Sequence, residues 1–161
     1  MAPKFRGKIP VAAFREMHRM LPLACVDVVA RFDDAVLLVR RAIEPLMGEW
    51  FFPGGRLYRG ERIAQAAVRI VKAETGMEVA DVQQIGVEET MFDADPFGHG
   101  EGTHTVNVIC SARITGGKLH VDRDHMGGRM VRWTELPREI MLSDYVLRNI
   151  RRAFEYAEEI A

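Results

Sequence analysis

The sequence predicts an α/β (α+β) fold in which a mixed β-sheet lies between α-helices. Three observations carry that expectation. Val- and Leu-rich runs over 23–31 and 35–40 flank an Asp33-Asp34 turn, the pattern of a hairpin. A glycine-rich turn, Pro53-Gly54-Gly55, leads into an amphipathic segment over 61–75. Two long strand-like runs, 79–92 and 103–114, are followed by a second amphipathic segment over 143–160. Strands, helix, strands and helix in that order bury their apolar faces most simply as helices layered on a sheet.

Each element has its own signal. Residues 11–20 read as a short leading helix, stopped at Leu21-Pro22 because a residue before proline is pushed out of the helical region. Residues 45–49 form a loop, and Trp50-Phe51-Phe52 is a brief apolar run halted by the Pro-Gly-Gly turn, where glycine lets the backbone approach a ligand closely. On a wheel of 100° per residue Ala64, Ala67, Val68 and Val71 share one side and form the expected core stripe. Glu74 then lies at the stripe's edge, with Ile70 and Ala73 beyond it. Gly76 is placed to end the helix in a left-handed conformation. The polar 93–102 segment separates the two long strands, Gly116-Gly117 turns the chain, 131–133 suggests a last strand, and Ser143 is the N-cap candidate of the terminal helix.

Composition sets the limits. A chain of 161 residues, 48% hydrophobic, can bury one good core and is short for two, so a single domain over 1–161 is expected. A net charge of -1 gives no overall pull toward nucleic acid or an anionic membrane, and any phosphate site must be built from local groups. Cys25 and Cys110 sit in apolar runs and read as small buried hydrophobes, which suits a reducing compartment. The apolar runs are broken by Pro22, Asp27 or Arg31, so a cytoplasmic protein without membrane or nucleic-acid partners is expected.

The chemistry-bearing residues recur at fixed spacing. Gly55, Glu61, Arg69, Val71, Glu74, Gly76 and Met77 resemble the Nudix box, in which a glycine and a glutamate precede an Arg-Glu-apolar-any-Glu-Glu-any-Gly run. Ile70 and Ala73 stand where that pattern has glutamates. The resemblance narrows to the GDP-mannose mannosyl hydrolases through Pro22-Leu23, Asp27, Arg41, Gly48, Trp50-Phe51, Pro53-Gly54-Gly55-Arg56, Gly86-Val87 and Thr103-His104. The same apolar and alanine replacements mark that group, whose members are homodimers.

The resemblance implies a Nudix fold and Mg2+-dependent hydrolysis of a nucleotide sugar, GDP-mannose or GDP-glucose. Water attacks the anomeric carbon with inversion and releases GDP and the hexose. It implies Mg2+, with Mn2+ as a substitute, on the Gly54 carbonyl, Glu74 and Asp124, the last replacing the family's amide. Arg41 and Arg56 would meet the diphosphate, since guanidinium forks bind phosphate oxygens bidentately and stay charged. His125, shortly before Arg132-Trp133, would be the general base, with 126–129 lengthening the intervening loop. His104 and His120 are rivals for that role, and His104 also belongs to the substrate-binding set. Asp27, a lone acid in an apolar strand, is the expected acceptor for a sugar hydroxyl. Glu61 and Arg69 would support the box.

Plainer readings stand beside these. Glu61 could serve the helix dipole, Arg69 and Glu74 could be a surface pair, and Arg41 and His125 could be solvated. Two other function classes also stay open. One is a conventional Nudix diphosphatase attacking phosphorus; the other is a non-catalytic nucleotide-sugar-binding module.

Overall fold

The computed structural model describes residues 9–135 and 140–159. Helix α1 (Val11–Met20) leads into β1 (Leu23–Phe32) and β2 (Ala35–Arg41), then short strands β3 (Trp50–Phe51) and β4 (Gly54–Arg56). Helix α2 (Ile63–Thr75) follows, then β5 (Met77–Phe92), β6 (Thr103–Gly117) and β7 (His125–Arg132), a 3-10 turn over Trp133–Glu135, and α3 (Asp144–Glu159). The expected α/β layering with a mixed sheet is what forms.

One sheet runs β3-β2-β1-β6-β5, with β4 added to β1 and β7 to β2. β1 is the central strand: it is parallel to β6 and antiparallel to β2 and β4. β2 pairs with the far end of β1, at Arg31 and Phe32, while β4 takes the near end, Cys25 to Asp27. The sheet therefore divides beside Asp27, and β2 continues away with β7 on its other edge.

Both faces of the sheet are covered. Val26, Val28 and Ala30 of β1 pack with Ala66, Ala67, Ile70 and Val71 of α2. Val29 faces the other way, with Phe52, Ile109, Val146 and Ile150, under α3. A strand buried on both faces has to be apolar almost continuously, as β1 is. Ile150 is fully buried. Ile150→Val is expected to lower unfolding free energy by about 0.5–1.5 kcal/mol in urea titration, the usual cost of one lost core methylene.

The structure corrects several expectations. α2 begins at Ile63, and its buried stripe is Ala66, Ala67, Ile70, Val71 and Thr75, leaving Ala64 and Val68 exposed. A helix so rich in Ala and Val offers more than one apolar face, and packing against β1 selects between them. β4 was unforeseen because Gly-Gly-Arg has little strand character of its own; the free edge of β1 organises it. Residues 126–129 do not extend a loop: all four lie within β7, and 127–129 pair with β2. Gly128 eases this, because a Cβ there would press on the Val121 and Leu119 side chains. Gly116 and Gly117 lie within β6 and not beyond it. α3 begins after Ser143, whose carbonyl accepts the Leu147 N–H; residue 160, the expected helix end, lies outside the described residues.

Candidate active site

The Pro-Gly-Gly turn brings two acids from opposite faces of the sheet close together. Asp27 projects from β1, and β4 runs alongside with Gly54 opposite it. A Cβ on Gly54 would strike the Asp27 carboxylate, so the residue must be glycine for the strand to lie there. On the other side the Gly54 N–H donates to Glu74 Oε2 at 3.1 Å. Ile70 packs in the core below Gly55, and Ala73 is exposed. Glu74 is thus the one carboxylate that the second half of α2 turns toward β4.

His125 completes this cluster. Its Nδ1 lies 2.8 Å from Asp122 Oδ1 and its Nε2 is 3.8 Å from Glu74 Oε2. Two features aim the ring. The β2–β7 pairing sets Arg41 opposite His125 and Arg40 opposite Gly127, so Met126 is an extra residue bulging out of the ladder. The incoming segment is also pinned to the end of α2, where Asp122 N–H donates to the Glu74 carbonyl and His120 N–H to that of Thr75. These bonds satisfy helix-end carbonyls that would otherwise lack partners.

Asp122 was not expected; Asp124 was. The Asp124 side chain is about half-exposed and lies 3.7 Å from Arg123 Nε, while its N–H donates to Asp122 Oδ1. Asp122, three residues before His125, is thus the acid that meets its ring, while Asp124, the expected metal ligand, lies beside Arg123. His120 is exposed, bonded to the Lys118 carbonyl and packed against Gly76. His104 is separated from the pocket by strand alternation: Thr103, Thr105 and Asn107 line the cavity beside Asp27, and His104 points to the opposite face, 3.9 Å from Glu89.

That cavity measures about 170 Å³ and lies between Asp27, Arg41, Phe51, Gly54, Arg56, Thr90, Thr105 and Asn107. Tyr145 of α3 donates its hydroxyl to Asp27 Oδ2 at 2.7 Å and stacks on Phe51. Arg41 donates from Nε to the Pro45 carbonyl, and burial lowers its pKa against the opposing pull of Glu74, Asp27 and Asp124. Arg56 stands at the rim. Glu61 and Arg69 form an ion pair at 2.7 Å, and Arg69 also donates to the Arg56 carbonyl, so the pair braces the segment between β4 and α2.

Burial dominates the electrostatics of the two acids. Burial, with Asp122 and Asp27 nearby, pushes Glu74 up to about 8, although the Gly54 N–H and Arg41 oppose it. Burial likewise raises Asp27 to about 6 against the Tyr145 hydrogen bond. Among the described residues no three His, Cys, Asp or Glu side chains form a closed metal cage. Mg2+ does not need one: it retains waters and takes substrate phosphate oxygens beside one or two carboxylates. Glu74, bonded to Gly54 at the cavity's edge, supplies one such carboxylate.

Comparison with known proteins identifies the family and the fold. The NUDIX domain model matches residues 21–150. The low-salt glycan biosynthesis protein Agl8 of Haloferax volcanii is 29% identical over 124 residues, covering 77% of this chain and 80% of that protein. The ADP-ribose pyrophosphatase of Methanocaldococcus jannaschii is 28% identical over 130 residues, covering 78% and 73%. Among solved structures, the NUDIX domain of Shewanella oneidensis NrtR complexed with ADP ribose superposes with a TM-score of 0.68 at 19% identity, covering 85% of this chain and 89% of that one.

Proposed function

The chain belongs to the NUDIX domain family and is a Nudix hydrolase, and from that premise we propose that it hydrolyses a nucleotide sugar at the anomeric carbon. Nudix hydrolases generally use divalent metal ions such as Mg2+. The proposed substrate is GDP-mannose or GDP-glucose, and the products are GDP and the free hexose. One observation carries the reading: α2 turns a single carboxylate, Glu74, toward a cluster that also holds an Asp-paired histidine. With Ile70 in the core and Ala73 in solvent, the residues that would gather several cations about a phosphorus atom are missing. The glycan-related relative points the same way.

In this reading Glu74 and the Gly54 carbonyl would hold Mg2+, which when bound would neutralise charge on the diphosphate. Asp122 accepts the His125 Nδ1–H and so fixes the tautomer that leaves Nε2 free to take a proton. His125 takes that proton from water as its oxygen bonds to the anomeric carbon, and the C–O bond breaks with its electron pair leaving on GDP. Arg41 and Arg56 meet the phosphate oxygens, where negative charge grows as the bond breaks. Asp27, held by Tyr145 on the cavity wall, binds a sugar hydroxyl.

Turnover of GDP-mannose with Mg2+ in oxygen-18 water tests the reaction class. Label in free mannose beside unlabelled GDP is the expected result. Label in GMP or mannose phosphate would assign attack at phosphorus and make the protein a conventional diphosphatase, and binding without turnover would make it a nucleotide-sugar-binding module.

A further inference from the structure

Arg56 lies at the lip between two cavities. One is the 170 Å³ pocket beside Asp27; the other is a groove of about 470 Å³ between α1, the start of β1 and the segment after β4. Among the described residues nothing accepts a hydrogen bond from its guanidinium, which is held by rings instead. Its Cζ lies 4.0 Å from the Phe14 ring centroid and 5.7 Å from that of Tyr58. An arginine held through its flat face keeps its N–H donors free at the edge, where an anion can meet them.

Phe14 belongs to α1, which precedes the matched NUDIX region and contributes no charged group to the cluster around Glu74. Yet the helix is anchored. Phe14 meets the Phe97 ring edge-on at 5.1 Å, and Arg15 donates to the Phe97 and Gly98 carbonyls. His18 and His99 share a 2.6 Å hydrogen bond between Nδ1 and Nε2. These contacts fix α1 to the 93–102 segment, and with it the ring beneath Arg56. Tyr58 is also steadied by Arg69, whose Cζ lies 3.8 Å from its ring centroid.

We propose that Phe14 is a positioning residue that holds the Arg56 guanidinium toward the cavity mouth, so that α1 forms part of the diphosphate-binding site. The proposal rests on the reading of Arg56 as a diphosphate ligand. Its test is a double-mutant cycle on the full chain with Mg2+, read as GDP affinity by calorimetry and as kcat/KM. Phe14→Leu is expected to weaken GDP binding by about two- to fivefold, the range of one exposed cation–π contact. Phe14→Tyr, which keeps the ring, is expected to bind as wild type. In an Arg56→Ala background Phe14→Leu is expected to have no further effect, an outcome that a merely structural role for the ring would not produce.

If Arg56→Ala weakens binding while Phe14→Leu does not, or if the loss on Phe14→Leu persists in full without Arg56, the positioning role is overturned and the reading of Arg56 stands. If GDP fails to bind the unaltered protein, or Arg56→Ala binds it as wild type does, the reading of Arg56 fails and this proposal falls with it.

Discussion

His125→Gln is expected to lower kcat by about 10²- to 10⁴-fold, the range for loss of a positioned general base, while leaving GDP affinity near wild type. Glutamine retains much of the shape and hydrogen-bonding capacity of the ring but cannot take a proton at neutral pH. The split between kcat and binding follows from position: His125 faces Asp122 and Glu74, and the arginines assigned to the diphosphate come from β2 and β4. Asp122→Asn is expected to produce a smaller loss, because the imidazole remains while its tautomer is no longer fixed by an anion. Steady-state kinetics with a parallel GDP titration measure both. Wild-type kcat in the His125 variant would remove this histidine from the mechanism, and equal loss of binding and turnover would make it structural.

The sequence was most legible where a residue's role depends on near neighbours. The end of α1 follows from Pro22, the hairpin from Asp33-Asp34, and the end of α2 from Gly76, whose φ of 69° is left-handed. The family resemblance named the Gly54 carbonyl and Glu74 together as metal ligands; the structure brings the two residues into contact through the Gly54 N–H. What was lost depends on distant partners. Tyr145 lies 118 residues from Asp27, and nothing local to either predicts their bond. His104 shares its motif with Thr103, but alternation gives neighbours to opposite faces, and only the β5–β6 register decides which faces the cavity. Asp122 and Asp124 both shortly precede His125 in sequence; the hydrogen bonds to the end of α2 and the bulge at Met126 choose the first.

Removing the acid from α2 separates stability from function. Glu74→Gln is expected to abolish Mg2+-dependent turnover, a loss of at least about 10²-fold, and to make the metal-free protein more stable at pH 8. The sign follows from proton binding. Unfolded, Glu74 titrates near its ordinary 4.5; folded, burial and the nearby acids push it up to about 8. Between these values the folded protein holds the proton that the unfolded chain has lost, so stability falls as pH rises and levels off above about 8. Asp27, raised to about 6, adds a slope of the same sign at lower pH, so the Glu74 contribution is read most cleanly from pH 6.5 to 8.5.

A tenfold change in proton affinity corresponds to about 1.4 kcal/mol, and the Glu74 side chain is only 16% exposed, so the variant is expected to gain on the order of a few kcal/mol at pH 8. Mg2+ reverses the ranking, because it binds the ionised carboxylate and displaces the proton. Wild-type affinity for Mg2+ is expected to rise about fiftyfold from pH 6 to 8, as the ionised fraction of a group titrating near 8 grows from about one part in a hundred to one half. Urea unfolding at pH 6.5 and 8.5, with and without Mg2+, measures all three effects. A metal-free variant with the same pH slope as wild type, or a wild type that Mg2+ stabilises equally at both pH values, would show that Glu74 is neither the strained acid nor the metal ligand. The expected pattern makes this carboxylate a group kept at a cost to the empty fold because the bound cation needs it.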